Sequence, residues 1–357
     1  MSDAGSAPTT APDATATPDG QGESNLTVVL ALFANLGVAI AKLAAGLFTG
    51  SGALLSEAAH SFGDTTTEIF LLFAVRRSTK QADRLHPFGY GQERYVWSLI
   101  AAVSIFAIGA AFSIFQGFLT ILTEAHEPAR DVIVNYVVLA VSAVLEGTSL
   151  RQGIKQARGE AAGDQTTTGR WLRTPDDPTV KSVVLEDSAA LVGLALAALG
   201  VLLHSLTGSG VWDGVSSLAI GVLLVVVAIS LVRTNLGLLT GRQAPLRLVR
   251  EISQRLESEP EIVDVVDLLT MQIGAARVLV CARVDVVDSL SAAEIEEAML
   301  RAADRMIAEV PDVFEVFLEP VPRENPALRE RVLARYGRVL ADDVDGAEDE
   351  QLTPPIA

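Results

Sequence analysis

Four ionisable residues lie in a stretch apolar enough for a membrane, SGALLSEAAHSFGDTTTEIFLLFAV at residues 51–75: Glu57, His60, Asp64 and Glu68. Residues four apart share one face of a helix, so His60 and Asp64 project together, about 6 Å apart along the axis. Imidazole and carboxylate groups are ligands that suit Zn²⁺ and neighbouring first-row metals. The spacing therefore predicts a divalent metal site, although a structural His–Asp hydrogen bond without metal explains the pair equally well at this point.

A second acidic pair lies in the apolar segment KSVVLEDSAALVGLALAALG, where Glu186 and Asp187 are adjacent. Neighbouring residues point about 100° apart around a helix, so only one of them can face a site shared with His60 and Asp64. Uncompensated acidic groups are costly in a membrane, and a doubly charged ion would compensate them. The alternative for Glu186 is a charge at the cytosolic helix end that reaches water.

Membrane-spanning helices must hold these residues in place. Half of the 357 residues are hydrophobic and the mean hydropathy is positive, which is unusual for a soluble domain of this length. A span needs about 20 mostly apolar residues. Six segments qualify, at 26–48, 52–74, 96–122, 131–150, 183–204 and 211–232.

Basic residues predict the orientation of the spans. They are concentrated in the loops after the second and fourth spans, at Arg76, Arg77, Lys80, Arg84 and Arg94, and at Arg151, Lys155, Arg158, Arg170, Arg173 and Lys181. The three opposite loops contain only Arg130. By the positive-inside rule, the basic loops and both termini are cytosolic. We expect a multi-pass protein of a bacterial plasma membrane.

The chain after the last span has the pattern of a soluble domain. Helical periodicity in PLRLVREISQRLESEP and SAAEIEEAMLRAADRMIAEV, with alternation in the segments around them, predicts the order αββαβ. We therefore predict an α-helical membrane protein with a transmembrane domain at 25–240 and a cytosolic α+β ferredoxin-like domain at 243–322. Residues 1–24 and the acidic segment 323–357 have the composition of disordered tails.

Composition and motifs exclude several function classes. The formal charge of −17 argues against nucleic-acid binding, which needs clustered Lys and Arg. No nucleotide-binding loop is present, and no organic cofactor is expected. The single cysteine, Cys281, rules out an internal disulfide or a cysteine-based zinc cluster.

Four motifs in order along the chain resemble those of the cation diffusion facilitator family of metal/proton antiporters. They are SGALLSEAAHSFGDT, HPFGYGQERYVW, WDGVSSLAIGVLL and LLTGRQAP. LEDSAALVG and LEGTSL are similar to the zinc-transporter-9-like branch. The resemblance covers about residues 26–322 and implies six transmembrane helices, a cytosolic ferredoxin-like domain and a homodimer.

The resemblance also implies a transport site. Family members join an HxxxD or DxxxD pair on the second helix to another on the fifth, and His60 and Asp64 match the first pair. In the second pair Asp187 matches one member, but the other is Val183, which cannot bind a metal, so Glu186 is the candidate replacement. Zinc is the expected substrate, and a site with one His and three carboxylates would also accept manganese or ferrous iron.

Two further sites can be compared with the family. Asp83 and His86 match part of a loop site between the second and third spans, but Tyr90 replaces a further His, and an ordinary loop cap explains them equally well. No histidine follows residue 243, so a histidine-based zinc site in the cytosolic domain is not expected. Lys42 in the first span would be able to pair with a site carboxylate when the metal leaves.

The resulting functional hypothesis is secondary transport of a divalent cation in exchange for protons. Protons compete with metal for ligands, and His60 is the natural exchange group because imidazole titrates near neutrality. A membrane metalloenzyme is one rival hypothesis, but the spans contain no HExxH motif and no paired nucleophile and base. A membrane scaffold without transport is another, and it leaves the intramembrane acids without a purpose.

Overall fold

The structure is a computed structural model that describes residues 25–123, 132–163, 167–173, 178–323 and 326–336. The predicted N-terminal tail and most of the predicted acidic tail lie outside these residues. The helices of the first part are α1 (Asn25–Thr49), α2 (Gly52–Ser78), α3 (Glu93–Ser104), α4 (Ala111–Leu122), α5 (Val132–Gly163), α6 (Thr168–Arg173), α7 (Pro178–Thr207) and α8 (Val211–Leu239). A π-helical turn, Ile105–Ala110, joins α3 to α4 in one continuous span.

Within the described residues, five of these spans are long and apolar enough to cross a membrane: α1, α3–α4, α5, α7 and α8. The second predicted span, α2 (27 residues), is not among these five helices; it carries Glu57, His60, Asp64 and Glu68 among its apolar residues. It nevertheless packs against α1, α3, α4, α7 and α8, so it lies inside the same helix bundle. The most polar helix is therefore held among apolar ones.

Tight turns close two helical hairpins. Gly50 and Gly208 adopt left-handed backbone conformations after α1 and α7, as the glycine-containing turns predict. On the same side of the bundle, Asp213 of α8 accepts hydrogen bonds from the Ser51 hydroxyl at 2.7 Å and from the backbone N–H groups of Gly52 and Ala53. Asp213 thus caps the start of α2 and joins it to α8.

Helices continue into the predicted cytosolic loop at 151–181, so the fourth and fifth spans lie within longer helices. Helix α5 continues to Gly163, and α7 begins at Pro178. Ala157 and Ala161 on the extension of α5 pack against Val180 and Val184 of α7. The extension is missed because its exposed face is polar, which ends the apolar run while the helix continues.

The second part has the predicted αββαβ order. It consists of α9 (Leu246–Glu257), β1 (Ile262–Gly274), β2 (Arg277–Val286), α10 (Ala292–Glu309) and β3 (Val313–Pro320). Strand β2 is central, antiparallel to β1 and parallel to β3. Ile252, Val280 and Met306 are among the buried residues that form one core between the helices and the sheet. A further helix, α11 (Pro326–Tyr336), lies in the segment predicted to be a tail.

The soluble domain contacts the loop between α2 and α3. Arg277 donates from Nη2 to the carbonyl oxygen of Phe88 at 3.4 Å. Gly91 packs so closely on Ile273 and Gly274 at the tip of the β1–β2 hairpin that any Cβ there would collide with the Ile273 carbonyl. The bundle and the soluble domain therefore meet at this loop, at the end of the bundle where α2 finishes.

Candidate metal transport site

His60 and Asp64 come together in the middle of α2, as their spacing predicts. His60 Nε2 lies 3.3 Å from Asp64 Oδ2, and the two side chains are 3% and 21% exposed. The contact does not have hydrogen-bond geometry, so both imidazole nitrogens and Asp64 Oδ1 are buried without a hydrogen-bond partner. A structural His–Asp hydrogen bond would have satisfied His60 Nε2, which has no partner here.

The polar face of α2 extends beyond the predicted pair in both directions. Glu57 lies one turn before His60 and pairs with Lys42 of α1 at 3.2 Å, with both side chains fully buried. Glu68 lies one turn after Asp64 and accepts a hydrogen bond from Asn35 Nδ2 of α1. Residues 57, 60, 64 and 68 fall at helical intervals and form one acidic and imidazole stripe along α2.

A small cavity lies between the halves of α2, α3, α7 and α8 that are nearest the basic loops. The lining includes Thr67 and Leu71 of α2, Glu186 of α7 and Asn235 of α8. The Thr67 hydroxyl and Asn235 Oδ1 are buried there without hydrogen-bond partners. The cavity therefore joins polar groups of two predicted metal-binding helices at the side where the basic loops lie.

Glu186 and Asp187 face different neighbours, as the 100° separation requires. Glu186 lines the cavity beside α2 and α3. Asp187 points towards α5, where it accepts a hydrogen bond from Ser149, and its Oδ2 has no partner. Both carboxylates interact electrostatically with Asp64.

The structure does not assemble all predicted ligands around one point. Across the described ranges, no three His, Cys, Asp or Glu side chains lie close enough together to hold a metal ion. His60 and Asp64 are in contact, whereas Glu186 and Asp187 act electrostatically on Asp64. Closing the site would require α7 to move its acidic pair towards α2.

Glu146 of α5 lies in the same region, although it was not among the predicted ligands. It is three residues before Ser149, the partner of Asp187, and it interacts electrostatically with His60, Asp64 and Asp187. The signal was present, since a glutamate in the middle of the apolar fourth span is itself unusual. Four helices therefore direct charged groups towards the same region.

The loop residues Asp83 and His86 form a turn. Asp83 Oδ1 accepts the N–H groups of Leu85 and His86 at 2.9 and 2.8 Å, and the Tyr90 hydroxyl donates to Oδ2 at 2.7 Å. The Tyr90 hydrogen bond, followed by those of the backbone, holds the pKa of Asp83 below its ordinary value. These contacts occupy the carboxylate and match the loop-cap alternative, while a metal role for Asp83 and His86 stays untested.

The fold agrees with a comparison to protein families. Residues 28–240 match the family described as the cation efflux transmembrane domain. This chain belongs to the cation efflux family. The match confirms the predicted resemblance to cation diffusion facilitators, and with the αββαβ domain it confirms the predicted fold class.

Individual relatives support the expected branch of the family. The proton-coupled zinc antiporter SLC30A9, mitochondrial, of Mus musculus is 32% identical over 311 residues, which are 87% of this chain and 52% of that protein. The Homo sapiens protein of the same name is 30% identical over the same length. Metal tolerance protein C4 of Arabidopsis thaliana is 28% identical over 339 residues, 93% of this chain and 72% of that protein. The chain thus spans about half the length of the two animal relatives.

Proposed function

We propose that this chain transports a divalent metal ion, zinc in the first instance, across a membrane in exchange for protons. The observation that carries the proposal is the His60–Asp64 pair, which lies at 3.3 Å within a helix bundle and has buried nitrogen and oxygen atoms without partners. Such atoms are costly in a membrane unless a ligand completes them. The names of the mouse and human relatives support zinc and proton coupling.

His60 and Asp64 would be the fixed ligands, one supplying nitrogen and the other oxygen. Asp187 is the proposed third ligand, because it lies at electrostatic range of Asp64 and has a free Oδ2. Glu186 is the proposed fourth ligand or the group that receives the ion in the cytosolic cavity. A movement of α7 towards α2 would bring Glu186 and Asp187 close enough to His60 and Asp64 to complete the set of ligands.

Proton coupling follows from the chemistry of these ligands. Imidazole and carboxylate bind metal only when deprotonated, so each metal ion that binds releases protons and each proton that returns weakens binding. Zinc affinity should therefore decrease as the pH is lowered. A pH gradient would then drive metal from the side of higher pH to the side of lower pH.

The selectivity among metals is part of the proposal. A single imidazole among carboxylates is a harder ligand set than two imidazoles with two carboxylates. Manganese and ferrous iron are thus the alternative substrates. Competition between zinc and manganese in the binding experiment below would rank them directly.

We also propose that the chain works as a homodimer and that the soluble domain helps to hold the two copies together. The metal would be moved away from the side of the basic loops, which is the cytosolic side by the positive-inside rule. The relatives at 28–32% identity are named as mitochondrial or come from a plant, so they do not support the expected bacterial plasma membrane.

The test is zinc uptake into proteoliposomes with an imposed pH gradient. Wild-type protein should take up zinc faster with the gradient than without it, and Asp64→Asn should fall to the level of protein-free vesicles. Asp304→Asn, on the exposed face of α10, is the matched control and should retain uptake. Gradient-independent uptake, or full uptake by Asp64→Asn, would contradict the proposal.

A further inference from the structure

Lys42 is the largest fully buried side chain of the described residues, and it is a cation in the membrane part of the chain. Its Nζ lies 3.2 Å from Glu57 Oε2 and donates to the Ser61 hydroxyl at 2.8 Å. It does not contact Asp64. The expected pairing of Lys42 with a site carboxylate is therefore replaced by a pairing with Glu57, one turn away from the site.

Glu57 lies in a pocket built to hold it. Three helices surround the side chain: α1 provides Lys42, α2 carries Glu57 itself, and α7 provides Gly193, where any Cβ would collide with Glu57 Oε1. Oε1 is buried and has no hydrogen-bond partner. The ammonium group of Lys42 thus holds one oxygen of Glu57. The other oxygen has no partner and faces α7, the helix that carries the proposed ligands Glu186 and Asp187.

The pair is close enough to the metal site to change its electrostatics. Glu57 lies about 4.5 Å before His60 along the helix axis. The charges of Lys42 and Glu57 both act on His60 and on Asp64. Between these groups there is little water to screen them, because Lys42, Glu57, Ala58 and His60 are all buried.

We propose that the Lys42–Glu57 ion pair sets the net charge of the transport cavity and thereby the affinity of His60 and Asp64 for the metal. Lys42 offsets the charge of one carboxylate, so that the cavity binds a divalent ion without retaining it. The inference rests on the proposed transport function. Neither residue is a metal ligand, and both act through the field that they impose on the ligands.

The two charges must have opposite effects when they are removed singly. Replacing Lys42 with methionine leaves Glu57 uncompensated, so the cavity becomes more negative and zinc affinity should rise. Replacing Glu57 with glutamine leaves Lys42 uncompensated, so affinity should fall. Each shift should be at least about tenfold, because unit charges in a poorly screened site act strongly on a divalent ion.

The experiment measures zinc affinity of the full chain in lipid nanodiscs, by competition with a fluorescent zinc chelator at pH 8, where protons compete least. The variants are Lys42→Met, Glu57→Gln and the double variant, which should return close to wild type because the net charge is restored. The matched controls are Arg255→Met and Glu309→Gln, which remove the same charges from an exposed pair at 2.6 Å in the soluble domain. They should leave zinc affinity unchanged.

A purely structural role for the pair makes a different prediction. Both single variants would then lose stability, and their zinc affinities would stay unchanged or shift in the same direction. Either result, or a double variant that does not recover, would overturn the inference. If Lys42→Met cannot be purified, the zinc affinity of Glu57→Gln is compared with that of the double variant. Charge balance requires the double variant to recover the affinity that Glu57→Gln loses.

The proposed function fails in a separate way. His60→Leu is included in the same titration, and equal zinc affinity for wild type and His60→Leu would show that the metal does not bind at this site. Wild-type binding that His60→Leu abolishes, together with unshifted Lys42 and Glu57 variants, would reject only the charge-balance inference.

Discussion

The helix bundle and the soluble domain use polar side chains in opposite ways. In the soluble domain, Arg305 pairs with both carboxylate oxygens of Glu259 at 2.9 and 3.0 Å, and Arg255 pairs with Glu309 at the surface. In the bundle, Glu57 and His60 of α2 are buried, and the side chain of Asp64 is only 21% exposed. Most of the buried polar atoms that lack a partner in the described residues lie on this one helix.

The difference shows which part of the chain is suited to binding a ligand and which part is stabilised by its own contacts. A buried polar atom without a partner costs of the order of 1–3 kcal/mol, so a set of them on one helix is not expected unless a ligand uses them. The soluble domain has an apolar core and paired surface charges, and both stabilise its fold. The predictions below separate loss of function in the bundle from loss of stability in the soluble domain.

The largest effect is expected for His60→Leu in the bundle. Zinc transport should fall by more than about a hundredfold, because one ligand is lost and even supporting groups of metal sites contribute about 10–100-fold. Thermal stability should be unchanged or higher, because two orphaned nitrogens are replaced by apolar atoms. Uptake and thermal unfolding are measured on the same preparation. A variant that transports normally, or that unfolds at a much lower temperature, would break the contrast between the two regions.

The reverse pattern is expected for Ile252→Ala in the core of the soluble domain. Ile252 is fully buried between α9 and the sheet, and such truncations cost about 2–5 kcal/mol. Hydrogen exchange of the β2 amides should show this loss of stability, while zinc affinity is unchanged.

Leu300→Ala on α10 is the matched control for Ile252→Ala. Leu300 is 67% exposed, so the same kind of truncation should change stability by less than about 0.5 kcal/mol. Equal effects of the two variants, or a change in zinc affinity with Ile252→Ala, would show that the two regions are not separable in this way.

A smaller effect is expected where a buried charge in the bundle does have partners. Asp213→Asn replaces an acceptor of three hydrogen bonds at the start of α2, and the loss should be about 1–3 kcal/mol. Faster hydrogen exchange at residues 52–54 is the measurement. Ser51→Ala removes one of these bonds and also the N-cap bond from the Leu54 N–H to the Ser51 hydroxyl, so its effect should be largest at Leu54. Unchanged exchange at residues 52 and 53 in Asp213→Asn would mean that Asp213 does not hold the two hairpins together.

The sequence was informative wherever local spacing determines geometry. The His60–Asp64 contact follows from residues four apart on a helix, and the αββαβ order follows from periodicity and turns. The separation of Glu186 from Asp187 follows from the 100° step. These predictions required no knowledge of how the helices pack.

Packing between helices was beyond the sequence. Lys42 and Glu57 are 15 positions apart on different helices, and nothing in their spacing showed that the ammonium would pair with Glu57 rather than with a site carboxylate. The contribution of Glu146 depends on α5 lying beside α7. The extension of α5 to Gly163 was missed because an exposed helix face is polar, so the apolar run ends before the helix does.

The most direct test of the central claim is X-ray absorption spectroscopy at the zinc edge, on the full chain loaded with one equivalent of zinc in nanodiscs. We expect a first shell of nitrogen and oxygen with the scattering pattern of one imidazole, and His60→Leu should lose that pattern together with most of the bound zinc. An identical spectrum and occupancy in wild type and His60→Leu would contradict the claim that α2 carries the metal site.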